Sequence, residues 1–170
     1  MQHRRQPKNE EIPYPKGALN LIVSKTDTKG RITYCNELFI YMSRFEEHEL
    51  LGQPHNIIRH PDMPRIIFKL LWDTIQSGQE INAYVKNMAK DGAYYWVLAN
   101  VTPSFDKNDK IIGYFSVRRE PSKEALSVIE PLYRKLLELE KSGGMEASKA
   151  YLDKLLQEKE LSYEEFILSL

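Results

Sequence analysis

The 170-residue sequence predicts an α+β fold, with about five antiparallel strands and with helices inserted between the second and the third. Three observations predict it. β-Branched and aromatic runs are separated by turn signals at Lys29-Gly30, Lys90-Asp91-Gly92 and Asn108-Asp109. A strongly apolar segment between Pro64 and Gly78 carries helix start and stop signals. The C-terminal stretch repeats its leucines with a helical period.

Residues 1–17, MQHRRQPKNEEIPYPKG, are polar and broken by Pro7, Pro13 and Pro15, and read as a flexible arm. No apolar run follows the basic residues, so the arm is not a secretory signal. LNLIVSKTDTKGRITYCN predicts two short strands joined at Lys29-Gly30. ELFIYMSRFEEHELLGQP predicts short helical turns ended by Gly52 and Pro54. The next helix, Pro64 to Ser77, has its proline in the first turn, where a missing N–H does no harm. At about 100° per residue, Arg65, Lys69, Asp73 and Gln76 share one polar arc, and apolar side chains fill the remainder. Such a helix touches more than one surface, with the core on one side and something else on the other. INAYVKNMA and AYYWVLANVTP then predict a hairpin about Asp91-Gly92, and KIIGYFSVRRE a last strand.

The tail reads as helical. Ala125, Ile129, Leu132, Leu136 and Leu139 alternate in steps of four and three, the seam of a helix pair. Pro131 should kink or restart that helix, and Gly143-Gly144 ends it. A second amphipathic helix carries Tyr151, Leu152, Leu155 and Leu156. Ser162 to Glu165 forms a capping box, flanked by Leu161 and Phe166 as a hydrophobic staple. This pattern needs a partner surface: the sheet, another copy or another protein. The organisation is thus an arm (1–17), a sheet domain (18–120) and a helical extension (121–170).

Composition narrows the function. Lysine plus arginine and aspartate plus glutamate are both 24, so no general electrostatic drive points to nucleic acid or an anionic membrane. The single cysteine, Cys35, excludes an intramolecular disulfide and a cysteine-rich zinc site, and suggests a reducing compartment. No window is apolar over the length a membrane span needs. A soluble, cytoplasmic protein without direct membrane insertion is expected.

The chemistry concentrates in GQPHNIIRHPDMPRIIFKLLW, Gly52 to Trp72. His48, His55 and His60 lack metal-ligand spacing, so hydrogen-bonding roles are expected of them. Neither a nucleophile elbow, a P-loop nor a Gly-x-Gly-x-x-Gly occurs, and no acid–base pair is placed for turnover, so the chain does not read as an enzyme. Arg59 and His60 lie just before a helix N-terminus, where free N–H groups and the dipole favour an anion. Asp62 is a candidate N-cap of that helix, and Arg59 a candidate partner for Asp62. Phe68 and Trp72 are one turn apart beside the polar arc, as core aromatics or as a stacking platform for a planar ligand. The residues alone leave the anion and capping readings about even, and favour the core reading for the two aromatics.

The pattern TDTKGRITYCNELF…GQPHNIIRHPDMP…W…VKN…KDGAYYWVLANVTP…GYFSVR closely resembles the sensory PAS domain of Aer-type aerotaxis receptors. The resemblance covers about residues 18–120 and runs on into IEPLYRKL. It implies a PAS fold, a five-stranded antiparallel sheet with short helices and one long helix on one face. It also implies an FAD-binding redox sensor for energy taxis. Asn36, Arg59, His60, Asp62, Phe68, Trp72 and Asn87 match the family's flavin-associated positions without departure. On that resemblance Trp72 packs against the isoalloxazine ring, and Arg59 and His60 hold the pyrophosphate or adenine portion. Asn36 and Asn87 hydrogen-bond the flavin edges, Asp62 caps the helix and orients Arg59, and the histidines donate hydrogen bonds.

Aer-type receptors continue into a membrane anchor, a HAMP domain and a methyl-accepting coiled coil, whereas this sequence ends in two or three short helices. The expectation is therefore the stand-alone PAS half of a bipartite energy-taxis receptor. It would signal by contact with a membrane-bound chemoreceptor-type transducer, or assemble as a homodimer. The alternative is a PAS interaction or dimerisation module without a redox cofactor. The related cysteinyl-adduct photoreceptors need a cysteine where this sequence reads HNIIRHP, so that photochemistry is not expected.

Overall fold

The computed structural model describes residues 5–17 and 20–170. The first residues of the predicted arm, 1–4, and the predicted domain start at 18–19 lie outside them. The elements are β1 (Ile22–Thr26), β2 (Ile32–Cys35), α1 (Glu37–Ser43), α2 (Glu47–Leu50), α3 (Arg65–Gln76), β3 (Ile81–Met88), β4 (Tyr94–Phe105), β5 (Ile111–Arg119), α4 (Lys123–Lys159) and α5 (Tyr163–Leu168), with a 3-10 turn at His55–Ile58. The five strands form one antiparallel sheet in the order β2-β1-β5-β4-β3. This is the predicted α+β architecture, and α1, α2 and α3 fall between the second and third strands as expected.

Local chemistry sets the turns. Asp27 Oδ1 accepts from the N–H groups of Lys29 and Arg31, and Gly30 closes the β1–β2 turn at φ 78°, a value L side chains rarely adopt. At the β5 entrance a non-glycine residue, Asp109, takes φ 59°. α3 begins after Pro64 and stops before Gly78, close to the predicted limits. Its polar arc, Arg65, Lys69, Asp73 and Gln76, is solvent-facing, while Ile66, Ile67 and Ile75 are buried. Cys35 is a buried core filler at the end of β2.

Two expectations are corrected. Residues 5–12 do not form a flexible arm: they run beside the β3–β4 hairpin. Lys8 and Ile12 donate to the carbonyls of Gly92 and Tyr94, and Tyr94 donates to Glu10. The Arg5 guanidinium reaches the carbonyls of Met88, Ala89 and Ile57. The prolines forbid a helix, yet the residues between them keep donors for an extended edge contact. In α4, Pro131 does not restart the helix, which keeps helical dihedrals across it; the non-helical residue is Gly144, at φ 70° and ψ −173°.

The α4 seam packs on α3 and on the sheet. Ala125, Ile129, Tyr133, Leu136 and Glu140 are its buried positions, while Leu132 and Leu139 are half-buried. Tyr133 Oη donates to the Tyr84 carbonyl on β3 at 2.6 Å. α5 has the predicted capping box and docks on β3, with Phe166 and Ile167 buried and Asn82 donating to Glu164. Among the described residues, no helix is long and apolar enough to cross a membrane.

Candidate functional site

Between α3 and the inner face of the sheet lies a cavity of about 200 Å³. Strand alternation decides what it sees: Val85 and Asn87 of β3, Val97, Ala99 and Val101 of β4, and Tyr114, Ser116 and Arg118 of β5 share this face. The opposite wall is Phe68, Leu71, Trp72 and Ile75 of α3. Gly30, His55 and Arg59 close the ends. The walls are a helix and a sheet lying face to face, so the space between them is a slot, apolar on its broad sides and polar at its edges.

Trp72 is fixed from two directions. Its ring stands edge-on to Tyr114, with centroids 5.6 Å apart and planes at 87°. Across the turn, a Cβ on Gly30 would come within 2.9 Å of the indole. Gly30→Ala is therefore expected to destabilise the fold by about 1–2 kcal/mol, through its positive φ, and to push Trp72 into the slot. Chemical denaturation together with near-ultraviolet dichroism of Trp72 checks both effects.

The polar edge is unusual. Arg118 is buried, yet no carboxylate pairs with it among the described residues. One terminal nitrogen donates to His55 Nε2 at 2.9 Å, the other to Ser24 Oγ at 2.7 Å, and its Cζ lies 4.8 Å from the Phe39 centroid. Its Nε has no acceptor among the described residues. Burial pulls its pKa down to about 10, which leaves it charged at neutral pH. Arginine only donates, so His55 Nε2 must accept and its proton sits on Nδ1. Burial, reinforced by the Arg118 charge, drops the His55 pKa to about 3. The opposite end repeats the theme: Arg59 lies 3.7 Å over the Phe68 ring, and its buried Nε also lacks an acceptor among the described residues.

Of the residues singled out in the sequence, Arg59, Phe68, Trp72 and Asn87 meet on the cavity wall. A backbone bridge pairs Arg59 with Asn87, and His60 N donates to the Lys86 carbonyl, so the loop after the 3-10 turn is stitched to β3. Asn36, His60 and Asp62 are not on that wall. Asn36 is the N-cap of α1; its Oδ1 accepts from Val23 and Phe39 and its Nδ2 donates to Leu21, which spends the whole amide on backbone. His60 is buried beside Tyr94 and accepts from the Asp62 N–H, with burial and then Lys86 dropping its pKa to about 4.

The expected capping role of Asp62 is overturned. Its carboxylate takes the Lys86 ammonium at 2.9 Å, and the free N–H groups of α3 go instead to Glu140 in the tail. The expectation that the histidines donate is likewise corrected at two ring nitrogens, His55 Nε2 and His60 Nδ1, which accept. Sequence reading passed over Arg118, although its position two and four residues after Ser116 and Tyr114 put it on their face.

A sheet with helices laid across one face, enclosing a slot with guanidinium Nε–H groups that find no acceptor among the described residues, has the architecture of a sensor domain. Residues 32–118 match the family described as the PAS fold, and the chain belongs to that family. Within it the chain is of the Aer type. It is 42% identical over 115 residues to the aerotaxis receptor of Escherichia coli (strain K12), covering 68% of this chain and 22% of the receptor. The chain thus spans less than a quarter of that relative's length. Among solved structures, the light-state Aureochrome1 LOV blue-light photoreceptor superposes with a TM-score of 0.57 at 21% identity, over 71% of this chain and 91% of that one. A light-oxygen-voltage domain studied with a flavin analogue gives 0.57 at 17% identity, over 64% and 81%. At those identities the likeness is one of fold.

Proposed function

We propose that this chain is an FAD-binding PAS redox sensor that acts in the cytoplasm. It signals in aerotaxis or energy taxis by contact with a membrane-bound chemoreceptor-type transducer. The observation that carries the reading is the slot itself: an apolar space walled by Trp72, with the buried Nε–H groups of Arg118 and of the half-buried Arg59 finding no acceptor among the described residues. Buried donors without acceptors are costly, and a ligand bearing acceptors at its edges satisfies them. A flat, edge-polar flavin ring fits that description. A cavity of about 200 Å³ houses a ring system, and the remainder of a dinucleotide must lie outside it. The 42% identity to an aerotaxis receptor supports the same reading.

A bound flavin supplies reversible uptake of electrons and protons, which changes the hydrogen-bonding character of its ring edge. The rest belongs to this chain. Trp72 and Phe68 pack on the ring or its margin, and Asn87, whose amide both donates and accepts, answers a change at the ring edge by rotation. Arg118 supplies positive charge from the sheet side. Arg59 serves the phosphate or adenine portion, with His60 and Asp62 positioning it through the loop they share. Asn36 acts by anchoring α1 to β1. Signalling runs from these residues to the tail helices and on to the transducer.

Titration of the purified protein with FAD, FMN and riboflavin tests the cofactor. The expected result is uptake of FAD in preference to the other two, weakened at least tenfold in Trp72→Ala. Equal weak binding of all three, or none, with no effect of Trp72→Ala, would leave the interaction-module reading in its place.

A further inference from the structure

α3, which presents Phe68 and Trp72 to the cavity, has no N-cap of its own, because it starts behind Pro64. Its first free N–H groups, those of Arg65 and Ile66, both donate to the Glu140 carboxylate, at 2.9 Å each. Glu140 comes from α4, 75 and 74 residues away, and is buried there. Its Oε1 also accepts from Ser148 Oγ at 3.0 Å, and the Arg65 guanidinium approaches Oε2 at 3.6 Å. Ser148 is fully buried and lies beyond the break at Gly144. One carboxylate therefore ties together three segments: the start of α3, α4 before the break, and α4 after it.

We infer that Glu140 is the latch that couples the cavity-facing helix to the seating of the α4 segment from Met145 to Lys159, which lies between the break at Gly144 and the separately anchored α5. This inference rests on reading the cavity as a cofactor site. A carboxylate at a helix N-terminus is held by charge-assisted hydrogen bonds and by the helix dipole, and both depend steeply on alignment. α3 is a rigid rod, so a displacement of Phe68 or Trp72 moves the N–H groups that Glu140 grips. The first half of α4 has its own anchor, Tyr133 on the Tyr84 carbonyl, and stays on the sheet when the latch opens. The segment beyond Gly144 depends on the latch for its attachment to α3. Its release or reseating is the movement a partner would detect, and the device uses a residue far from the cavity as its output contact.

Amide hydrogen exchange on the full chain tests this. In Glu140→Gln the amide oxygen can accept only one of the two N–H groups while its NH₂ opposes the other, so exchange across residues 145–159 is expected to speed up about tenfold or more. Amides of β4 should be unchanged, which shows that the fold is intact. Ser148→Ala should shift the same amides in the same direction by less. With FAD added, the wild-type tail should change its exchange rate, and Glu140→Gln should not. Equal tail exchange in wild type and Glu140→Gln without ligand would overturn the inference, as would an FAD response of equal size in both. A tenfold Glu140→Gln effect in protein that takes up no FAD would overturn the cofactor reading and uphold the attachment.

Discussion

Arg118→Met is expected to weaken FAD binding by about a hundredfold while leaving the ligand-free protein at least as stable as the wild type. The two effects have opposite signs for one reason. Without a ligand, Arg118 is a buried cation that finds, among the described residues, no carboxylate partner and no acceptor for its Nε, which is a cost to folding. Methionine has a similar length and no charge, and it leaves Ser24 Oγ and His55 Nε2, already 3.0 Å apart, bonded to each other. The ligand, in contrast, loses the strongest donor in the slot. Parallel ligand titration and urea denaturation of wild type and variant check the prediction. A variant that loses stability and keeps its affinity would show that Arg118 serves the fold and not the site.

The second large effect is a loss of stability on mild acidification. His55 has a folded pKa of about 3 against an ordinary value of 6.5, so below pH 6.5 the unfolded chain takes up a proton that the folded one refuses. Stability from this group is complete above the unfolded value and drains away as pH falls toward the folded one. One pKa unit corresponds to about 1.4 kcal/mol, so the loss reaches about 2 kcal/mol by pH 5. His60, held down to about 4, acts in the same direction. The carboxylates whose pKa values are lowered, among them Asp62 beside Lys86 and Asp91 beside Arg44, add their losses below about pH 4.5. Denaturation between pH 7 and 5 therefore isolates the histidines. His55→Gln keeps an acceptor for Arg118 and is expected to flatten that part of the curve.

Much of the fold was legible because its signals are local. Gly30, the Asp91-Gly92 pair and Asp109 each mark a turn through backbone conformations few residues tolerate, and the intervening runs had to be strands. The apolar circumference of α3 foretold its two contacts, which are the core through Ile66, Ile67 and Ile75 and the cavity through Phe68 and Trp72. What escaped was non-local. Asp62 looked like a cap because it precedes α3, but Lys86 across the loop on β3 and Glu140 from the far end of the chain won the competing contacts. Asn36 and His60 sit in motifs that resemble a flavin site, and the structure commits both to backbone contacts that shape the site from behind. The arm misled for a related reason: its prolines reveal what it cannot form, but not the hairpin edge it lies along.

The central claim is that the slot between α3 and the sheet holds FAD and responds to its redox state. The absorbance spectrum of the purified protein, reconstituted with FAD and recorded before and after dithionite, tests it most directly. The account predicts flavin bands that co-elute with the folded protein near one per chain, bleach on reduction and return in air. A folded protein that stays colourless after reconstitution would contradict it.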